Sequence, residues 1–244
     1  GNTIDFDANT FSFAADIDNT SDIQITVNGQ ALTISAGSSL SAITSNRDSF
    51  ITQGGPNGNE GANTILRIIS SDKNRPVVAF DQQQIQLATS GKTLQSAKLR
   101  LYIVDNGNNW GFGKPIGSYR LLDNWVEGNG WNVGNNIAGT GSGTTWNCPT
   151  DTNISNNQKN CDAQWNGGSF NLIPTNTLLI TNSMNGQWIE FDVTSDVQGF
   201  LDGVANYGWV IKKTGDDSLN GSIEFASREA SVNKPQLVLS LQGQ

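Results

Sequence analysis

The 244-residue sequence predicts an all-β protein: an antiparallel, jelly-roll-like β-sandwich with an N-terminal strand and hairpin extension and a long loop-rich insertion. Three observations predict it. Polar and apolar residues alternate with a period of two in several short runs, as a strand with one buried face requires. Asn-Gly dipeptides at Asn28, Asn57, Asn106, Asn129, Asn166, Asn185 and Asn220 punctuate those runs with turns. Helical periodicity is confined to one brief segment after Val193.

In chain order, Ile4, Phe6 and Ala8 share one parity and Phe11, Phe13, Ala15 and Ile17 the other, giving two short amphipathic strands. Asn28-Gly29 then predicts a two-residue hairpin that sets Ile25 opposite Leu32 and Ile23 opposite Ile34. Neither piece is stable alone, because an isolated hairpin is marginal in water. Strands follow around Ser49 and Ile69, separated by the turn-rich GGPNGNEG, and again over Pro76 to Phe80 and Ala97 to Val104. From Asn106 to Asn185 the chain is rich in Gly, Asn and Trp, with strand-like pieces at Ile116 to Leu122 and Phe170 to Ile180. An insertion of that length in a compact domain points to function or assembly.

The C-terminal stretch is the most regular. Ile189, Phe191 and Val193 alternate with Trp188, Glu190 and Asp192. Val193, Val197, Phe200 and Leu201 then predict a short helix, capped by Thr194 or Ser195 and closed by Gly203. Tyr207 to Lys212 carries successive apolar residues, as a central strand covered on both faces would. Ile223 to Ala226 and Gln236 to Leu241 supply two more strands.

Composition restricts function. A net charge of −8 and a pI near 4.4 leave no basic stripe for phosphates, so neither a nucleic-acid nor an anionic-membrane partner is expected, and with no transmembrane run in the sequence no membrane insertion is expected either. Only 15% of residues are charged and 27 are glycine, a composition typical of secreted β proteins. The chain opens without a signal-peptide pattern, so Gly1 is expected to be a mature N-terminus after signal-peptide removal, with an extracellular or cell-surface location. Cys148 and Cys161, with no histidine to complete a zinc site, are expected to form a disulfide. Closing a loop of that size stabilises by about 3 kcal/mol in the chain-entropy model. Without histidine no Ser-His-Asp or Cys-His arrangement exists, and hydrolysis would need a carboxylate pair from Asp123, Glu127, Glu190, Glu224 or Glu229. Each of these carboxylates also fits a solvated or ion-paired position, so no enzyme activity is expected.

The order of FITQGGPNGNEGANTILRI, NRPVVAFD, LQSAKLRLYIV, NWVEGNGWN and GQWIEFDVT followed by FASREASVNKPQLVL resembles the DNRLRE domain family over roughly residues 47–241. The resemblance divides the chain into an extension, 1–46, and a sandwich, 47–244. It implies a carbohydrate-binding-module-like sandwich of secreted and cell-surface proteins, some members binding acidic polysaccharides. Trp125 and Trp131 fall at the family's W-E-G-x-x-W positions and are expected to pack. Independently of the resemblance, Arg228 and Glu229 are expected to pin a strand end by ion pairing and hydrogen bonds.

Two functions remain in view. The first is a non-catalytic subunit of an extracellular filament or matrix, a head-to-tail homopolymer in which Ile4, Phe6, Phe11, Phe13 and Ile17 donate a strand to the neighbouring copy. The alternative is a polysaccharide-binding module using loop tryptophans Trp110, Trp146 and Trp165, with Lys98, Arg100, Lys212 and Lys213 as a local basic cluster. Calcium is the one cofactor the residues suggest, at Asp105, Asn106 and Asn108 or at Asp216 and Asp217, because hard cations want clustered carboxylate and amide oxygens. Asn19, Asn153 and Asn220 head glycosylation sequons.

Overall fold

The computed structural model describes residues 23–27, 30–34, 38–69, 72–214 and 221–243, with side chains from residue 39 onward. The expected assembly residues Ile4, Phe6, Phe11, Phe13 and Ile17, the calcium candidates Asp216 and Asp217, and the sequons at Asn19 and Asn220 lie outside the described residues.

The fold is the expected all-β sandwich. Strands β1 (Ile23–Val27) and β2 (Gln30–Ile34) form a separate hairpin that pairs Ile23 with Ile34 and Ile25 with Leu32, the register set by the two-residue connection. The remaining strands are β3 (Ser38–Thr44), β4 (Arg47–Thr52), β5 (Ile65–Ile68), β6 (Asn74–Ala79), β7 (Lys92–Asp105), β8 (Lys114–Arg120), β9 (Asn176–Ile180), β10 (Trp188–Asp192), β11 (Trp209–Lys213), β12 (Ile223–Ala226) and β13 (Gln236–Gly243). They make a six-stranded sheet in the order β3-β13-β7-β12-β5, with β10 on β7, and a five-stranded sheet in the order β4-β6-β11-β8-β9. The chain crosses between sheets at nearly every connection from β3 to β12. Strand β3 lies within the 1–46 stretch expected as an extension, yet it is an edge of the main sheet.

Between the sheets lies the main core. Leu99, Leu101 and Ile103 of β7, Phe191 of β10 and Leu237, Leu239 and Leu241 of β13 face Val78, Ile116, Trp209 and Ile211 across it. Strand β11 is the middle strand of its sheet, as its unbroken apolar run predicts. Gly208 leads into it at φ +80, where a Cβ would collide with the Val78 carbonyl, so no side chain fits there.

Among the described residues, two α-helices close the sandwich. Helix α2 (Thr194–Leu201) was legible, but its start differs from the expected Thr194 or Ser195 cap. Val193 is the N-cap residue and contributes no side-chain bond; Asp192 Oδ1 accepts the Thr194 backbone N–H at 3.1 Å instead. The Thr194 hydroxyl is engaged elsewhere, donating to Asp192 Oδ1 and accepting the Ala97 N–H. Helix α1 (Gln82–Thr89) was not anticipated. Only Ile85 and Thr89 of it are buried, too few to imprint a period, although Asp81 accepting the Gln84 N–H is an N-cap signal that the sequence carried. Among the described residues no helix is long and apolar enough to cross a membrane.

The insertion between β8 and β9 is a third layer. Trp125, Trp146 and Trp165 pack with Tyr119, Leu121, Val77, Ile51 and Val210 into a second core on the outer face of the five-stranded sheet. The Cys148–Cys161 disulfide ties this layer together, as expected.

Candidate functional site

Among the described residues, the insertion roofs the five-stranded sheet and leaves the outer face of the six-stranded sheet uncovered. Alternation along its strands decides what that face carries. On β7 Ala97, Leu99 and Leu101 are buried, so Lys98, Arg100 and Tyr102 point out; on β10 Ile189 and Phe191 are buried, so Trp188, Glu190 and Asp192 point out. The register places Trp188 opposite Tyr102, Glu190 opposite Arg100 and Asp192 opposite Lys98.

Each rung of this ladder is a contact. The Trp188 and Tyr102 rings meet edge to face, with centroids 5.4 Å apart. The Arg100 guanidinium lies 4.8 Å from the centroid of the Trp188 ring and pairs with Glu190 at 2.8 Å. Lys98 Nζ donates to Asp192 Oδ2 at 2.7 Å. On the other edge of β7, Arg100 Nη1 donates to Gln236 Oε1 at 3.3 Å. Burial alone would raise the Asp192 pKa, but the Lys98 ammonium and the Thr194 hydroxyl and N–H outweigh it and bring the carboxyl down to about 2. The result is an aromatic pair beside two neutralised ion pairs, rich in donors and acceptors and low in net charge.

A second cluster sits at the start of β4. Asp48 is fully buried; its Oδ2 accepts from the Ser45 hydroxyl and the Arg228 N–H at 3.1 and 2.9 Å. Glu127 Oε1 accepts from the Asp48 N–H at 2.7 Å and from Arg228 Nε at 2.8 Å, and Arg228 Nε also pairs with Glu229 at 3.0 Å. Arg228 and Glu229 thus pin the loop after β12 to the start of β4 by hydrogen bonds and ion pairs, as expected. Arg47 stacks on Trp125 at 4.7 Å and donates to its carbonyl at 2.6 Å. Burial, then the negative charges of Glu229 and Glu127, push the Asp48 carboxyl well above the usual range. Burial also raises Glu127 and Glu229, against the pull of Arg228, and lowers Arg47.

The structure corrects the expected tryptophan platform. Trp110, Trp146 and Trp165 are 1%, 8% and 5% exposed and offer no face to a ligand. Trp110 belongs to the main core and its indole N–H donates to the Ser222 carbonyl at 2.9 Å; Trp165 donates to the Thr145 carbonyl at 2.7 Å; Trp146 is covered by Arg75 at 4.8 Å. An insertion with little regular structure has to build its own core, and large amphipathic rings with one polar tip serve that need. Of the suggested basic residues, Lys98 and Arg100 are on the open face, whereas Lys213 is buried and Lys212 pairs with Asp72.

The 105–108 turn is internally bonded. Asp105 Oδ1 accepts the Gly107 N–H and Asn106 Oδ1 the Asn108 N–H, while Asn106, fully buried, donates to the Thr181 and Asn182 carbonyls. Asp105 and Asn106 therefore head successive Asx turns, the second closed by the Asn108 N–H, and Asp105 Oδ1 and Asn106 Oδ1 already have partners. Asn153, the one sequon residue within the described part, caps a single 3₁₀ turn through its side-chain oxygen.

Among the described residues, the fold is an antiparallel β-sandwich with one sheet face covered by the insertion and the other exposed. Residues 150–241 match the model of carbohydrate-binding module family 96. The matching description is that of a carbohydrate-binding module and does not carry the DNRLRE name. No curated protein was found to match the chain.

Proposed function

We propose that this protein is a non-catalytic, extracellular module that binds a polysaccharide on the outer face of its six-stranded sheet. The observation that carries the reading is the match to carbohydrate-binding module family 96 over 150–241, which takes in β10 and β13 and so Trp188, Glu190, Asp192 and Gln236. The chemistry of the face suits a sugar polymer. Aromatic rings take the apolar C–H surfaces, carboxylates accept from hydroxyls, and the guanidinium donates to ring and hydroxyl oxygens. Because Lys98 and Arg100 are already paired with acids, a neutral glycan fits better than a polyanion. The disulfide supports an oxidising compartment. The motifs upstream of the matched span support a DNRLRE-type origin for the rest of the sandwich, and the comparison favours polysaccharide over self-association as the partner.

Affinity electrophoresis against neutral polymers (xylan, mannan, β-glucan) and a uronate polymer tests this. Wild type is expected to be retarded by at least one neutral polymer, and Trp188→Ala to lose at least tenfold in affinity with an unchanged melting temperature. Folded Trp188→Ala and Arg100→Ala variants retarded like wild type would remove this face from the site.

A further inference from the structure

The acidic cluster at the start of β4 is left incomplete by its own partners. Asp48 Oδ1 and Glu229 Oε2 are both buried and have no hydrogen-bond partner, although the remaining oxygen of each carboxylate is bonded or ion-paired. Asp48 is wholly excluded from bulk solvent, where an unbonded carboxylate oxygen calls for a partner. Arg228 does not meet them: its Nε lies between Oε1 of Glu127 and Oε1 of Glu229. Three carboxylates stand against two guanidiniums, Arg228 and Arg47, which leaves one negative charge unbalanced in a buried place.

We propose that Asp48, Glu127 and Glu229 hold a calcium ion, bound through Asp48 Oδ1, Glu229 Oε2 and an oxygen of Glu127. The donor set is all carboxylate oxygen, the preference of a hard cation. One donor oxygen from each residue falls within 4.8 Å of the others. Oxygens within that reach can bind one cation together, and calcium accepts an irregular carboxylate cage that magnesium, with its near-ideal octahedral geometry and retained waters, does not favour. The three carboxylates come from β4, from the loop after Trp125 and from the loop after β12, so the ion would join both sheets and the insertion. This site is separate from the 105–108 turn and from the glycan face.

The test uses the whole chain stripped with EDTA. Terbium, a luminescent stand-in for calcium, is titrated with tryptophan excitation, since Trp125 lies under Arg47 beside the cluster. One saturable site is expected, displaced by calcium and not by equimolar magnesium. Calcium at a hundred times its Kd should raise the melting temperature by about 5–10 °C. Glu229→Gln should abolish both effects. Asp48→Asn should also lose calcium binding yet melt higher than wild type in EDTA, because it removes an unpaired buried charge; a residue serving only as a structural acceptor would show no such reversal. Wild type that gives neither luminescence nor a thermal shift in 10 mM calcium would overturn the proposal and leave a shared proton as the occupant. Undiminished binding in a folded Glu229→Gln variant would overturn it by placing the ion elsewhere.

Discussion

Asn59 is the residue on which the insertion's attachment turns, and Asn59→Asp is the perturbation that isolates it. Its side chain is fully buried and all of its bonding capacity is used. Nδ2 donates to the Glu127 and Thr144 carbonyls at 2.7 and 2.8 Å, and Oδ1 accepts the Gly130 and Gly61 N–H groups at 2.7 and 3.2 Å. Glycine surrounds it of necessity: Gly128 has φ +82, and a Cβ there would come within 2.5 Å of Asn59 Oδ1. Aspartate keeps the shape and the two accepted bonds, but turns an oxygen towards two carbonyls that lose their donor. An unsatisfied buried acceptor costs about 1–3 kcal/mol, so two cost about 4 kcal/mol at mid-range. At about 2–4 °C per kcal/mol for a chain of this size, the melting temperature should fall by about 8–16 °C at pH 7. Differential scanning calorimetry measures it, and pH provides an internal check. The new carboxyl is buried against acceptors, so its folded pKa is raised above the unfolded value of about 3.9. The folded state then holds more protons in that window, and stability must fall as pH rises through it. A variant melting within 2 °C of wild type at pH 7 would refute the idea that this amide holds the insertion in place.

Two further outcomes follow from the same structure. Trp165→Ala should cost about 3–5 kcal/mol, as loss of a buried indole does, while glycan retention per folded molecule stays unchanged. Reduced retention at equal stability would restore Trp165 as a ligand contact. Asp192 is depressed from its ordinary 3.8 to about 2, so its contribution is complete above 3.8 and lost as pH falls towards 2. Its side chain is 46% exposed, so after solvent screening the effect is a few tenths of a kcal/mol, read as the difference between wild type and Asp192→Asn at pH 6 and pH 2.5. A difference that does not shrink at the lower pH would contradict the Lys98 pairing.

Much of the sandwich was legible because its strands alternate cleanly. Trp188–Asp192 and Ile223–Ala226 begin and end close to where period two and the flanking turns put them, and the Asn28-Gly29 register follows from the turn. The open face was legible in principle from the same alternation. If Ile189 and Phe191 face in, Trp188 faces out, yet loop tryptophans drew attention first because rings in irregular segments look available. Burial of Trp146 and Trp165 depends on contacts with β4, β6, β8 and β11, far away in sequence, and no local pattern encodes such contacts. The same holds for Asp48, Glu127 and Glu229, drawn from three segments that only the crossing of the chain between sheets brings together.

The five-stranded sheet has a core on each side, and its middle strand serves both. Trp209 and Ile211 of β11 belong to the sandwich interior, while Val210 between them belongs to the layer beneath the insertion. An engineer could not treat the insertion as a removable ornament: trimming it would bare an aromatic sheet face to water and leave β11 anchored on one side only. Loops that border the open sheet, such as the turn between the 182–184 helical turn and β10, are where new specificity could be grafted without reaching either interior.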